Sequence, residues 1–122
     1  NLRMILIFAL VRKFIYPMII DRWRLEGDKW NNLVGENFII KYEDEGQAAL
    51  ELHHDNSEFT CLTALNEDFE GGGTWFHNQK LLVKNPVGGL TFHPGSITHL
   101  HGGRPTTSGI RYIIVSFCRC ND

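Results

Sequence analysis

Apolar residues crowd the chain from Leu2 to Trp23, with polar positions at Arg12, Lys13, Asp21 and Arg22. That density predicts a mostly buried helical segment with a break or kink at Pro17, because proline lacks an N–H and its ring crowds the preceding turn. The stretch Leu25 to Gly35 carries Gly-Asp and Asn-Asn turn chemistry and reads as loop. Beyond it the pattern shortens to strand-like runs at Asn37–Tyr42, Leu50–His53, Phe59–Leu65, Thr74–Phe76, Lys80–Val83, Leu90–Phe92, Ile97–His101 and Arg111–Phe117. Gly, Pro, Asn and Asp clusters separate them. About eight short strands with an apolar helix laid against them predict a mainly β fold, a double-sheet jelly roll with an N-terminal supporting helix.

At 122 residues the chain has room for one domain, spanning residues 1–122. It opens on Asn1 rather than Met, which suggests a piece of a larger protein. The longest apolar run, Met4 to Val11, is far below the ~20 residues that span a bilayer, so no transmembrane segment is expected. The same run lacks the basic flank and cleavage site of a secretory signal. Twelve basic residues against fourteen acidic ones, with the cations scattered, leave no electrostatic footprint for nucleic acid. Cys61, Cys118 and Cys120 are odd in number and lack repeated metal-binding spacing, so they read as core or edge thiols.

The histidines carry the chemistry. His53 and His54 directly precede Asp55, and His93, His99 and His101 lie close together further on. On an extended strand side chains two apart share a face, so His53 and Asp55 can enter one cavity while His54 points away. Two imidazoles and one carboxylate form a facial three-ligand set for iron(II), with adjacent positions open for a bidentate organic acid and dioxygen. Strand parity over Ile97–His101 leaves both His99 and His101 as the distal ligand. Arg111 opens the last apolar run, and a guanidinium buried there would be satisfied by a ligand carboxylate. The glycines at 71–73 have no phosphate-binding spacing and read as a turn or bulge. Trp23, Trp30 and Trp75 read as core or interface aromatics, with Trp75 near the mouth a candidate for substrate contact. His93, in Phe-His-Pro-Gly, reads as a turn residue or a wall of the pocket.

Several strings together carry a family resemblance: Phe38-Ile-Ile-Lys-Tyr42, His53-His-Asp-Asn-Ser57, Glu70-Gly-Gly-Gly73, His93-Pro-Gly95, Thr98-His-Leu-His-Gly102, Pro105-Thr-Thr107 and Arg111-Tyr-Ile-Ile-Val-Ser-Phe117. In order from about Phe14 to Phe117, the chain resembles the C-terminal catalytic domain of procollagen lysyl hydroxylases, including their giant-virus relatives. These are iron(II)- and 2-oxoglutarate-dependent dioxygenases on a double-stranded β-helix. The resemblance implies that His53, Asp55 and His101 hold iron and that Arg111 binds the distal carboxylate of 2-oxoglutarate. It gives Tyr42 a hydrogen bond to that cosubstrate. It further implies ascorbate as a reductant, a collagen-like peptide or protein as substrate, a homodimer, and the endoplasmic reticulum lumen or a viral, host-expressed setting. The chain departs from the family pattern at Leu62, where lysyl hydroxylases read Asn. The stretch between the Gly-rich turn and His93 is also shorter than in the animal enzymes. The expected reaction is hydroxylation of peptidyl lysine. The alternatives are a prolyl or other peptidyl hydroxylase of the same superfamily and a non-catalytic metal-binding jelly roll.

Overall fold

The computed structural model describes residues 2–120. An N-terminal helical segment runs without interruption through α1 (Leu2–Leu10), a π-turn (Val11–Ile15) and α2 (Tyr16–Trp23). Of the expected break or kink at Pro17, the helix shows no break; its irregularity is the π-turn just before that residue. Pro17 instead sits in the first turn of α2, directly after the π-turn, and the widened turn relieves the clash its ring would make with the carbonyl four residues back. Val11, Ile15, Tyr16 and Ile19 fall on one stripe and are buried, whereas Leu6, Leu10 and Phe14 on the other side are exposed. No helix among the described residues is long and apolar enough to cross a membrane.

The described residues contain nine strands: β1 (Leu33–Glu43), β2 (Leu50–His53), β3 (Phe59–Ala64), β4 (Phe69–Gly71), β5 (Thr74–Phe76), β6 (Leu81–Val83), β7 (Leu90–Pro94), β8 (His101–Gly103) and β9 (Thr106–Cys120). One antiparallel sheet runs β1-β9-β3-β7, with β4 joined to β9, and the other runs β2-β8-β5-β6. This is the expected jelly roll.

The boundaries correct the sequence reading in four places. The stretch read as loop holds a 3₁₀ helix (Asp28–Asn32) and the start of β1 at Leu33, which pairs with Cys120. The three-residue β4 carries too little pattern to be visible. β9 extends well beyond Arg111–Phe117, through a left-handed Gly109 (φ 75°), to pair with β4. The Ile97–His101 run is no strand: Ile97 has a φ of 74°, and pairing begins only at His101.

The larger sheet has a core on each face. On its outer face Phe59, Cys61 and Cys118 pack against Val11, Ile15, Tyr16 and Ile19 of the helical segment. Trp23 packs on Phe59 in a tilted pair with ring centres 4.7 Å apart, and Trp30 approaches the same ring. On the inner face Tyr42, Leu62, Ile113 and Val115 form a second cluster. Strand alternation sends neighbouring residues to opposite faces, so Arg111, Ile113, Val115 and Phe117 point between the sheets. Cys61 and Cys118 are buried free thiols, as expected of core residues.

Candidate metal centre

Between the sheets lies a cavity of about 260 Å3, walled by apolar residues such as Phe38, Leu62 and Val115 and carrying His53, Asp55 and His101 at one end. One ligand atom from each of these three lies within 4.8 Å of the others. His53 ends β2 and His101 opens β8, and the two are register partners across the β2–β8 pair. That pairing sets their rings 4.5 Å apart. Asp55 lies just past the end of β2 rather than on it, so strand parity does not place it. Its backbone N–H donates to the Gly95 carbonyl at 3.0 Å, and this bond turns the side chain inward. The approach is close enough that a Cβ on Gly95 would collide with Ser57.

Each imidazole is held by one nitrogen so that the other is free. His53 Nδ1 donates to the Glu51 carbonyl and His101 Nδ1 to the His99 carbonyl, both at 2.7 Å. A carbonyl only accepts, so both Nδ1 atoms carry a proton; in the neutral rings both Nε2 atoms then present lone pairs, the state a metal requires, whereas a protonated His53 donates Nε2–H to Asp55. His53 Nε2 stands 3.2 Å from Asp55 Oδ1, and His101 Nε2 3.4 Å from Asp55 Oδ2. Asp55 Oδ2 also accepts from Thr60 Oγ1 at 2.7 Å, and Thr60 in turn accepts from the Ser57 hydroxyl at 2.7 Å.

The charges follow from these contacts. Burial pushes the Asp55 carboxyl up, but the hydrogen bond it accepts from His53 when that ring is protonated, the one from Thr60, and the facing imidazoles outweigh it, leaving the group below its ordinary value and ionised. His53 is raised, chiefly by its bond to Asp55, whereas burial lowers His101. Two neutral nitrogens and one anionic oxygen in a buried pocket are a donor set suited to a divalent transition metal, and three protein donors leave coordination positions open.

Arg111 is also buried, 7% exposed. It faces Tyr42 across the β1–β9 ladder, with its guanidinium carbon 5.2 Å from the Tyr42 ring centre. It donates to the Gly73 carbonyl at 3.2 Å and Thr74 Oγ1 at 3.3 Å, both neutral acceptors. The run Gly71–Gly73, with φ of 72°, 68° and 92°, is the expected turn, and it delivers that carbonyl. Tyr42 and Thr74 also line the large cavity, so they stand between Arg111 and the metal end. Leu62 walls both this cavity and the smaller recess around Arg111.

The remaining candidates separate cleanly. His54 is exposed at the cavity rim. His99 contributes its carbonyl to His101, while its own Nδ1 bonds Thr98 Oγ1 at 2.8 Å. Trp75 alternates with the inward Thr74 and Phe76 and lies on the outer face, where the Arg104 guanidinium sits 4.9 Å from its ring. His93 is not a turn residue, and it is not among the residues lining the large cavity. It lies in β7 beside Thr60, 3% exposed, with Nε2 4.0 Å from Asp55 Oδ2. Burial pushes its pKa down to about 4. No feature of Phe-His-Pro-Gly signals that position, because it depends on the β3–β7 pairing.

No family model matches the chain. Curated proteins do: human procollagen-lysine,2-oxoglutarate 5-dioxygenase 2 is 43% identical over 111 residues, 88% of this chain. The human multifunctional procollagen lysine hydroxylase and glycosyltransferase LH3 is 46% identical over 85 residues, 66% of this chain. The chain spans only 15% and 12% of the lengths of these relatives. Among solved structures, a viral collagen prolyl hydroxylase from Paramecium bursaria Chlorella virus-1, in its 2-oxoglutarate complex, superposes with a TM-score of 0.71 at 19% identity, covering 94% of this chain and 73% of that one. A 2OG-Fe(II) oxygenase family oxidoreductase from Burkholderia pseudomallei gives a TM-score of 0.57 at 21% identity, covering 70% and 46%. The fold is thus shared with these two oxygenases. In sequence the chain is similar to the procollagen lysyl hydroxylases, over 88% of its length in the first of these comparisons.

Proposed function

We propose that this chain is the catalytic unit of an iron(II)- and 2-oxoglutarate-dependent hydroxylase acting on peptidyl lysine in collagen-like substrates. The observation that carries the reading is the convergence of His53 Nε2, His101 Nε2 and the Asp55 carboxylate at one end of an apolar cavity. In this reading those three residues hold iron(II). The metal supplies oxidative decarboxylation of 2-oxoglutarate and delivery of one oxygen atom of dioxygen to a C–H bond. Everything else is the work of the protein. Arg111, buried with only neutral acceptors, takes the distal carboxylate of 2-oxoglutarate, and Tyr42 lends its hydroxyl beside it. The Gly73 and Thr74 contacts orient the guanidinium fork before the acid arrives, so little side-chain freedom is lost on binding. Leu62, Ile113 and Val115 keep water from the reacting end, which limits wasteful side reactions. Ascorbate belongs to the same reading as the reductant for metal oxidised in unproductive turnovers.

Lysine is preferred over proline as the target because the relatives at 43% and 46% identity bear lysine hydroxylase names. Incubation with iron(II), 2-oxoglutarate and ascorbate, using collagen-like peptides that contain either lysine or proline, tests it by mass spectrometry. Gain of one oxygen on lysine is expected. Gain on proline alone would move the protein to the peptidyl prolyl class, and gain on neither would leave a metal-binding jelly roll.

A further inference from the structure

The metal end contains one group that the three-ligand reading does not use. His93 Nε2 is buried and has no hydrogen-bond partner among the described residues. Its Nδ1 lies 2.7 Å from the Pro94 carbonyl, which can only accept, so the proton is on Nδ1 and Nε2 presents a lone pair. The same device fixes His53 and His101: three imidazoles pin Nδ1 to a backbone carbonyl, and each Nε2 faces Asp55. Yet His93 falls outside the set of mutually close ligand atoms.

Its ring is not free to turn away. Phe76 meets it edge-on at 5.0 Å, His101 at 4.7 Å, and His99 stacks at 5.8 Å. A lone pair therefore faces a carboxylate oxygen across 4.0 Å in a buried space. Two acceptors at that separation repel unless a donor lies between them, and leaving a buried acceptor unpaired is costly. Two hydrogen bonds of about 2.8 Å each, meeting at one water oxygen, span such a gap.

Building on the metal centre of the preceding reading, we propose that His93 is a positioning residue whose Nε2 accepts a hydrogen bond from a water bound to the metal. The water's second proton goes to Asp55 Oδ2, which Thr60 already holds in place. His93 thereby reaches the metal through a water rather than by direct ligation, and it fixes both the orientation of that water and the face on which it sits. Partners one shell out from a metal commonly change affinity 10- to 100-fold.

Cobalt(II) serves as the probe, titrated into the protein without 2-oxoglutarate or peptide and followed by calorimetry and by visible absorption. His93→Phe and His93→Met remove the acceptor, with and without the ring. His93→Gln restores one, because its carbonyl oxygen reaches the place of Nε2. The Phe and Met variants should bind cobalt(II) about 10- to 100-fold more weakly, with an altered spectrum. The Gln variant should bind within a few-fold of the unmodified protein, and X-ray absorption at the cobalt edge should count two imidazoles. If the Phe variant does not fold, the Met and Gln pair carries the comparison alone. Unchanged affinity in Phe and Met, Gln as weak as Met, or three imidazoles on cobalt each overturn the inference. Failure of the unmodified protein to bind cobalt(II) instead overturns the metal centre itself.

Discussion

Arg111 and Tyr42 face one another across the β1–β9 ladder, so the buried cation and the hydroxyl that borders the metal cavity are set by a single register. Removing the cation tests what it is for. Arg111→Ala leaves a bound carboxylate without its partner, a loss of roughly 2 to 5 kcal/mol. At about 1.4 kcal/mol per factor of ten, the 2-oxoglutarate KM should rise about thirtyfold or more. Arg111→Lys keeps the charge but not the planar fork, and should give a smaller rise. Metal affinity should be unchanged in both. Steady-state kinetics at varied 2-oxoglutarate, alongside a metal titration, checks this, and an unchanged KM would assign the acid to another cation.

Metal affinity should depend on pH in two stages. A protonated imidazole cannot ligate, so protons compete with metal at His53 and His101. His53 is raised by Asp55, so its competition begins above the ordinary histidine value near 6.5. His101 is lowered by burial and joins only at more acid pH. Lowering the pH should thus weaken binding first with the steepness of one proton and then of two. Titrations from pH 8 to pH 5 measure it, and flat affinity across that range would contradict a two-histidine site.

The Ser57–Thr60–Asp55 chain of hydroxyls should matter for both fold and metal. Thr60→Val keeps the shape but removes the donor to Asp55 Oδ2 and the acceptor for Ser57. Leaving buried partners unpaired costs about 1–3 kcal/mol, and loosening a ligand carboxylate weakens metal about 10- to 100-fold. Denaturant unfolding of the metal-free protein and a metal titration read the two effects separately.

Gly95→Ala should act through geometry alone. The added Cβ would collide with Ser57, whose loop holds Asp55, and the Asp55 N–H bond to the Gly95 carbonyl would shift with it. Overpacking of this kind costs about 1–3 kcal/mol. The variant should melt earlier than the unmodified protein and bind metal more weakly. Unaltered melting would show that the 55–58 loop has room to move.

Much of this arrangement is legible in the sequence, for reasons that differ from residue to residue. The strands at 50–53 and 74–76 show themselves because turn residues bound them tightly. His53 and Asp55 are legible as a pair, but for an incomplete reason: Asp55 is turned inward by Gly95, a contact between distant segments that no local pattern contains. His101 could not be separated from His99 by parity, since the left-handed Ile97 removes the strand on which parity depends. Family resemblance selects His101; in the structure the His99 side chain bonds its neighbour Thr98 while its backbone serves His101. His93 was illegible as a buried neighbour of Asp55, because only the pairing of Thr60 with His93 brings it there.

The central claim is that His53, Asp55 and His101 together make one metal site, and anaerobic iron(II) titration of four proteins tests it most directly. The unmodified chain should bind one iron(II) per molecule. Asp55→Ala and His101→Ala should lose that binding while keeping the circular dichroism of the folded chain. His99→Ala should retain it, because the carbonyl that His99 offers to His101 survives the substitution. Stoichiometric binding that persists in Asp55→Ala, or a loss in His99→Ala with retention in His101→Ala, would contradict the account.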